Sequence, residues 1–312
     1  MLRDLFDRGG RRPAVDTTLA PQLRAELQER IAGAVETLQL AERQLFVNKH
    51  AISTVLGCEE RWVRDTAFAW STRTAVGSIA HKAAELVLVG KLAGSPANAV
   101  DAALEVARHD QPDGDFARFL QLAGDGERAE LRSRAITIVT SLTDAFPPIG
   151  GGWQARAEQL FRTAVGERTV TLSARPDLAF GRPVGPEART LLVDFKAGLP
   201  SQTDLDDGRF YALVHTLVYG VAPWRVVTFY LAEATWVGED IDADVLRAAV
   251  RRTSDAVEKM AALICGGRVA ALTPSPACRW CGVREACPGS REWDQRALAA
   301  EESDADLDRM AF

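Results

Sequence analysis

The amino-acid sequence predicts a mixed α/β fold with a large helical insertion, and three observations support this prediction. Apolar residues recur at helical spacing close to the N-terminus. Residues 91–165 read as entirely helical, interrupted only by short segments rich in glycine and proline. After residue 166 the period changes, and β-rich runs alternate with helical runs. We therefore expect a core in which strands and helices alternate, with the insertion before it in the chain.

Composition limits the class of protein further. The chain has 312 residues, of which 47% are hydrophobic and 26% are charged, and its formal net charge is −6. These values are typical of a globular protein with about two domains, or with one domain and a large insertion, and they exclude a disordered or fibrous chain. The modest negative charge argues against uniform coating of nucleic acid, but it permits a local basic groove.

The sequence also predicts a cytoplasmic protein with no membrane partner. No apolar run approaches the roughly 18 residues that a membrane-spanning helix needs. The apolar stretch of a signal peptide is missing from the N-terminus, which reads MLRDLFDR. In such a chain an odd number of cysteines, here five, favours metal or cluster ligation over a disulfide framework.

The N-terminal elements follow from periodicity. Residues 1–20 contain the segment GGRRP and no periodicity, which predicts a flexible arm. Apolar side chains then recur at helical spacing over about four turns, at Leu23, Leu27, Ile31, Val35 and Leu38. A further helix that begins near Thr74 places His81 and Glu85 on one face, because they are four residues apart.

The core elements follow in order after the insertion. Two β-rich runs, 167–180 and 190–196, are separated by a Gly/Pro loop and predict a hairpin. The next predicted elements are a helix at about 205–219, a strand at 224–231, a second strand near 235–237 and a helix at about 241–264. The predicted division is a flexible arm at 1–20, N-terminal helices at 21–90, a helical insertion at 91–165, the core at 166–265, a cysteine segment at 266–290 and an acidic tail at 291–312.

Asp177, Asp194 and Lys196 form the sharpest chemical signal in the sequence. Asp177 lies in the first predicted strand of the hairpin and Asp194 in the second, so chain reversal can bring the two carboxylates together. Adjacent carboxylates need a neutralising cation, and Mg²⁺ or Mn²⁺ prefers oxygen ligands. Lys196 faces the same side of its strand as Asp194. A metal-bound water beside this ammonium suits phosphodiester cleavage, although charges on a plain surface strand produce the same pattern.

With their neighbours, these residues resemble the defining motif of the PD-(D/E)XK nucleases of the RecB type. Asp177 follows a proline, Asp194 and Lys196 flank one residue, and the upstream segment GSIAH at 77–81 resembles the Gly-x-x-x-His helix of that superfamily. The resemblance implies a restriction-endonuclease-like core, in which helices flank a mixed sheet, and it implies that Lys196 serves the attacking water. The ligands that it implies for Mg²⁺ or Mn²⁺ are His81, Asp177, Asp194 and the main-chain carbonyl of Phe195.

Several residues near the motif have roles that the sequence leaves open. The family usually carries Gln-x-x-x-Tyr on its next helix, and the matching segment here has Asp207 and Tyr211. Tyr211 fits as a supporting site residue, whereas Asp207 departs from the pattern. Glu85 is either a partner of the metal ligands or a surface residue. Arg175 either contacts phosphate or pairs with an acid.

Four of the five cysteines form a second pattern. Cys278, Cys281 and Cys287 are spaced as Cys-x2-Cys-x5-Cys, and Cys58 can supply a fourth thiolate. Four thiolates suit tetrahedral zinc or an iron–sulfur cluster, while unrelated buried cysteines are the structural alternative. Zinc ribbons usually have two Cys-x2-Cys knuckles, whereas this chain has one. Cys265 is left over as an incidental thiol.

The cysteine spacing resembles that of iron-staple nucleases: the CRISPR-associated RecB-like exonuclease and the nuclease domains of the AddB and AdnA/AdnB type. In those proteins one upstream cysteine and three C-terminal cysteines hold a four-iron, four-sulfur cluster. The resemblance therefore implies that a 4Fe-4S cluster, rather than zinc, joins Cys58 to the C-terminal segment and stabilises the fold.

The sequence therefore predicts a metal-dependent DNA nuclease, an exonuclease on single-stranded or frayed DNA ends. Such proteins act in DNA repair and recombination or in CRISPR and phage-defence processing, and Trp62 or Trp280 would stack on bases. An alternative is a DNA-end-binding scaffold subunit that works with a partner helicase or integrase. The chain has no Gly-x-x-x-x-Gly-Lys-Ser/Thr segment, so ATP-driven unwinding would need another chain.

Overall fold

Two mixed β-sheets, flanked by helices, form the frame of the molecule. The computed structural model describes residues 14, 16–64, 70–89, 94–109, 112, 114–146, 149, 153–198 and 200–297, with the backbone alone at Trp280. Most of the predicted arm at 1–20 and much of the acidic tail at 291–312 therefore lie outside the described residues. Within the described part of the chain, no helix is long and apolar enough to cross a membrane.

The N-terminal region is helical, as predicted. Its elements are α1 (Leu19–Arg30), α2 (Ala32–Leu40), the short strand β1 (Leu45–Val47), α3 (Lys49–Gly57), α4 (Glu59–Val63) and α5 (Thr72–Leu88). The first predicted helix is divided at Ile31, and its periodic apolar residues are buried in both halves. Asn48 caps α3 by accepting a hydrogen bond from the Ala51 N–H (2.9 Å). This cap starts α3 directly after β1.

A three-helix insertion precedes the sheets. It consists of α6 (Pro96–His109), α7 (Asp115–Leu122) and α8 (Asp125–Ala145). The prediction that residues 91–165 are entirely helical is wrong at its C-terminal end, where the structure has β2 (Arg156–Ala157) and β3 (Phe161–Val165). Each of these short strands pairs with a later segment of the chain, so its local residue pattern did not identify it.

Strands of two sheets and two long helices complete the core, in the predicted order. They are β4 (Val170–Ala174), β5 (Leu178–Phe180), β6 (Leu191–Lys196), α9 (Gln202–Tyr219), β7 (Arg225–Tyr230), β8 (Thr235–Asp240) and α10 (Ala243–Ile264). The strand order is β1-β4-β3 in one sheet and β2-β5-β6-β7-β8 in the other. The pairs β1–β4 and β6–β7 are parallel and the others are antiparallel. Helix α9 is the crossover that the parallel pair β6–β7 requires.

The predicted hairpin exists, but its first arm is shorter than predicted. β5 and β6 pair antiparallel, with Leu178 opposite Val193. The run 167–180 is divided between β4 in one sheet and β5 in the other, and Pro176 lies in the break. Proline has no N–H to donate to a ladder, so it interrupts the run. Asp177 therefore lies just before β5 and not within a long strand, as was predicted.

Strand β6 lies between two hydrophobic cores, so its apolar residues form an unbroken run. Leu192 belongs to the core that α1, α2, α3, α9 and α10 build, whereas Leu191 and Val193 belong to the core of α5 and the insertion helices. A strand covered on both faces has this pattern. Because side chains alternate along a strand, Asp194 and Lys196 point to the same side as Leu192, toward α9.

After α10 the chain returns to the N-terminal helices. Two 3₁₀ turns, Pro276–Trp280 and Arg284–Ala286, are followed by helical residues at 288–297. The Glu60 N–H on α4 donates to the carbonyl of Ala271 (3.3 Å), which joins this C-terminal segment to α4. Segments that are far apart in the sequence therefore meet here.

Candidate active site

Lys196 lies in a cage of carboxylates at the end of β6. Its ammonium nitrogen is 2.9 Å from Asp194 Oδ2, 2.8 Å from Asp207 Oδ2 and 3.7 Å from Asp204 Oδ1. Burial alone would lower the pKa of Lys196, but the charges of Asp194 and Asp207 outweigh burial and raise that pKa well above its ordinary value. Lys196 is therefore a permanently charged hydrogen-bond donor.

Asp194 is the most buried acid of the site, with 3% of its surface exposed. Its Oδ1 accepts hydrogen bonds from Lys49 Nζ (2.8 Å) and Tyr211 Oη (3.2 Å). Burial would raise the pKa of this carboxyl, but Lys49 and Lys196 outweigh it and lower the pKa, so Asp194 is ionised. Its buried Oδ2 forms an ion pair with Lys196 Nζ, 2.9 Å away.

Asp177 and His81 face each other on the other side of the site. The two are joined by Asp177 Oδ1 and His81 Nδ1, which lie 3.4 Å apart. Asp177 Oδ2 accepts a hydrogen bond from the main-chain N–H of Phe195, the residue between Asp194 and Lys196. That bond fixes Asp177 beside the end of β6. Burial would lower the pKa of His81, but the Asp177 and Asp194 carboxylates outweigh burial and raise it.

Besides Asp204, helix α9 contributes Asp207 and Tyr211, which are four positions apart. Tyr211, which is buried, donates a hydrogen bond to Asp194 (3.2 Å), and its supporting role in catalysis stays a prediction. Burial, followed by the charge of Asp194, raises the pKa of Tyr211 well above its ordinary value, so its hydroxyl stays protonated and donates. Asp207 departs from the family's glutamine, yet it lies in the site and accepts a hydrogen bond from Lys196. The sequence reasoning did not identify this contact.

Lys49 is a site residue that the sequence reasoning missed. Its Nζ lies 2.8 Å from Asp194 Oδ1, 3.8 Å from Asp207 Oδ2 and 4.9 Å from the centroid of the Tyr211 ring. It is the first residue of α3, two positions after the buried end of β1. The signal that could have identified Lys49 is a charge two positions after the short apolar run Leu45–Val47.

The donors around Asp194 suit a hard divalent cation. Carboxylate oxygens, an imidazole and a main-chain carbonyl are ligands that Mg²⁺ and Mn²⁺ accept. Asp194 is buried and ionised, so its carboxylate is a ligand whose charge a divalent cation would neutralise. As the side chains stand, however, no three His, Cys, Asp or Glu residues of the described chain are grouped closely enough to hold a metal ion. The metal-ligand roles of His81, Asp177, Asp194 and Phe195 therefore stay predictions.

A cleft of ≈ 890 Å³ opens beside His81, between α5 and the insertion helices. Its basic side chains come from several elements and are Arg73, Lys82, Arg134 and Arg175. Of the residues whose roles were open, Glu85 pairs with Lys82 (2.8 Å) and Arg175 lies 3.9 Å from Glu158. Phe116 adds an aromatic surface, stacked on Trp70 with ring centroids 4.0 Å apart. The cleft is a basic groove in a protein whose net charge is negative.

The four predicted cluster cysteines line one cavity. Cys58, Cys278, Cys281 and Cys287 all border a space of ≈ 370 Å³, although more than 200 residues separate the first from the others. All are free thiols and, within the described residues, they are not drawn together into a metal-binding group. The segment that carries Cys58 and the C-terminal segment therefore meet, as predicted, but the four described thiols are not close enough together to form a metal-binding group. Cys265 lies elsewhere, with its sulfur 3.7 Å from the Thr37 carbonyl.

Beside Cys58, a buried glutamate joins α4 to the C-terminal segment. Glu59 accepts hydrogen bonds from Lys259 Nζ (2.6 Å), the Ala271 N–H (2.9 Å) and the guanidinium of Arg268. The Arg268 hydrogen bond is the main cause that lowers the pKa of Glu59, against the effect of burial. This network was not predicted, because no local pattern connects residues that are about 200 positions apart.

The family of this chain follows from sequence comparison. Residues 48–288 match the family model of the PD-(D/E)XK nuclease superfamily, a span that contains all of the motif residues above. No curated protein matches the chain. Among solved structures, the crystal structure of SSO0001 is similar at 14% identity, with a TM-score of 0.27, over 69% of this chain and 85% of that one. That likeness is too weak to carry an argument. The family match, which spans well over half of the sequence, establishes that this chain belongs to the PD-(D/E)XK nuclease superfamily.

Proposed function

We propose that this protein is a divalent-metal-dependent deoxyribonuclease of the RecB type, an exonuclease that acts on single-stranded DNA or on frayed DNA ends. The observation that carries the proposal is the surroundings of Asp194. This buried carboxylate lies at the end of β6, with the Lys196 ammonium 2.9 Å from its Oδ2 and with Asp177 held beside it by the Phe195 N–H. Clustered carboxylates are costly unless cations neutralise them, and a divalent metal ion does so with oxygen ligands. Superfamily membership makes phosphodiester cleavage the chemistry that matches this arrangement.

Each side chain has a distinct part in the proposed reaction. His81, Asp177, Asp194 and the Phe195 carbonyl would hold Mg²⁺ or Mn²⁺, which when bound polarises phosphate and lowers the pKa of water. The Phe195 N–H keeps Asp177 in place. Lys196 has no free lone pair, so it orients the attacking water as a donor and stabilises the charge that develops on the phosphate.

The cleft beside His81 supports a nucleic-acid substrate. Its basic side chains attract phosphates, and Phe116 offers a ring on which an unpaired base can stack. Bases expose their faces only when they are not stacked in a duplex, which favours single strands or frayed ends. Trp62 is partly buried against the core of α1 and α10, so its predicted stacking stays a prediction. The side chain of Trp280 lies outside the described residues.

We also propose that Cys58, Cys278, Cys281 and Cys287 hold a 4Fe-4S cluster. The support is that four thiols from two distant segments border one cavity that is open enough for a bound group. Zinc is the rival occupant, since four thiolates also suit tetrahedral zinc. In either case the bound group would join the start of α4 to the C-terminal segment and would take no part in cleavage.

Cleavage of labelled DNA tests the nuclease proposal. Wild-type protein, purified anaerobically, is incubated with Mn²⁺ and with 5′- or 3′-labelled single- and double-stranded DNA. We expect progressive shortening of single strands by the wild type, and a loss of about a hundredfold or more in Lys196→Ala, since such a donor stabilises the transition state. Arg247→Ala, an exposed change on α10 that removes a surface ion pair, serves as the matched control.

The outcomes separate the two functions that the sequence left open. Equal cleavage by wild type and Lys196→Ala would mean that another residue, or a contaminant, is responsible. Absence of cleavage from folded wild type would contradict the nuclease proposal. Binding of DNA ends without cleavage would then favour the alternative, a scaffold subunit that works with a partner helicase or integrase. The product ladder gives the polarity of an active enzyme.

A further inference from the structure

Lys49 pairs with one oxygen of Asp194, the Oδ1 atom. Its ammonium is 2.8 Å from Oδ1, and its next nearest acid, Asp207, is 3.8 Å away. Asp207 is already paired with Lys196 at 2.8 Å. Lys49 is therefore mainly a counter-ion of Asp194.

The two lysines on Asp194 are held in different ways. Lys196 is on β6 itself and is shared by Asp194, Asp204 and Asp207, so it is fixed within the cage. Lys49 reaches in from another element, α3, and about a third of its side chain is exposed. A long, partly solvated lysine side chain can leave its partner by rotation about its own bonds, without movement of the backbone.

A divalent cation and Lys49 compete for the same carboxylate. A cation on Asp194 would bring two positive charges close to an ammonium that is already in contact with it, and like charges in a half-buried site repel strongly.

We propose that Lys49 is a resident counter-cation of Asp194 that a divalent metal ion must displace, and that it thereby sets the affinity of the site for metal. The proposal rests on the proposed metal-dependent function of the same site. In the metal-free site, the ammonium of Lys49 already neutralises the charge of Asp194. A metal ion therefore binds only at concentrations high enough to displace the lysine.

Direct metal binding tests this proposal without DNA and without turnover. Mn²⁺ affinity is measured by electron paramagnetic resonance on the full chain, purified anaerobically, and Asp177→Asn identifies the signal that belongs to this site. Lys49→Met should bind Mn²⁺ about tenfold or more tightly than wild type. Lys259→Met is the matched control, because Lys259 on α10 has similar exposure and a comparably short pair, but with Glu59. Its effect should be well under threefold, as expected for loss of a charge that does not touch Asp194.

Two further variants keep the result decisive. Lys49→Gln removes the charge but keeps a hydrogen-bond donor, and it replaces Lys49→Met if the latter does not fold. Lys49→Arg keeps the charge and should bind Mn²⁺ within about threefold of wild type. Affinity that is unchanged or weaker in both neutral variants, or no Mn²⁺ signal in any variant, overturns the proposal.

This result is independent of the nuclease result. Tighter Mn²⁺ binding in Lys49→Met with no DNA cleavage by wild type would support the role of Lys49 and reject the proposed enzyme activity. Cleavage that depends on Lys196, with equal Mn²⁺ affinity in wild type and Lys49→Met, would support the enzyme and reject the role of Lys49.

Discussion

Asp194 is approached by donors from three elements: Lys49 of α3, Lys196 of β6 and Tyr211 of α9. Each donor has a different consequence. The two ammonium groups keep the buried carboxylate ionised, whereas the neutral tyrosine orients the carboxylate without adding a charge. Orientation matters because a ligand or catalytic group that rotates away from its productive geometry loses most of its effect.

Tyr211 should therefore affect turnover more than stability. Tyr211→Phe removes the hydrogen bond to Asp194 but keeps the ring that fills the core, and Lys49 and Lys196 still pair with that carboxylate. We expect kcat at saturating Mn²⁺ to fall about tenfold, with a small change in the melting temperature. Single-turnover cleavage and thermal unfolding of the same preparation measure both effects. An unchanged kcat would remove Tyr211 from the proposed mechanism.

At the scale of elements, a break in a strand assembles the site. Pro176 separates β4 from β5, and Asp177 follows at that break, where the Phe195 N–H of β6 can reach it. A continuous strand would have directed this side chain into a sheet face instead. The antiparallel pair β5–β6 then sets the distance between Asp177 and the end of β6.

The Glu59 network connects two further elements, α4 and the C-terminal segment. Glu59→Gln leaves Lys259 and Arg268 without their buried partner, so we expect a loss of about 2 kcal/mol in the free energy of unfolding at pH 7. The value lies below that of a fully buried pair because both cations are about 40% exposed. Glu60→Gln, which breaks an exposed pair with Arg64 on the same helix, is the control and should cost less than about 0.5 kcal/mol.

The stabilisation by Glu59 should also depend on pH. The folded state lowers the pKa of Glu59 below its ordinary value of 4.5, so the folded protein binds fewer protons than the unfolded chain in acid. The advantage of wild type over Glu59→Gln is therefore complete above that value and is lost as the pH falls below it. Denaturation curves of both proteins at pH 7 and at about pH 3.5 check the sign. A difference that grows in acid would contradict the assignment.

At the scale of the whole molecule, the cysteine cavity brings Cys58, which lies between α3 and α4, together with the three cysteines of the C-terminal segment. If a cluster joins Cys58 to the C-terminal segment, it closes a loop of more than 200 residues, which restricts the unfolded chain. Cys281→Ser should therefore lose iron and the absorbance near 400 nm, and its melting temperature should fall by several degrees. Cys265→Ser is the matched control, since its thiol lies outside the cavity. Zinc without iron in the wild type would contradict the iron–sulfur proposal.

The linear sequence was sufficient to predict helices and strands that have a periodic apolar pattern, and residues that match a motif. Burial of one face imposes a period on a helix or strand, so the core helices and strands, and the pairing of β5 with β6, could be predicted. The motif identified Asp177, Asp194 and Lys196 as neighbours, and the resemblance identified Tyr211 as a supporting residue.

Only the tertiary structure decided which distant residues neutralise the site and hold the molecule together. Lys49 meets Asp194 across 145 positions, and Glu59 meets Arg268 across 209. Such pairs leave no period in the sequence, because their partners belong to different elements whose packing sets the distance between them. The same holds for the thiols, since spacing predicts which cysteines converge but not how closely. The sequence by itself therefore determined the elements and the motif of this protein, and tertiary packing decided its electrostatics.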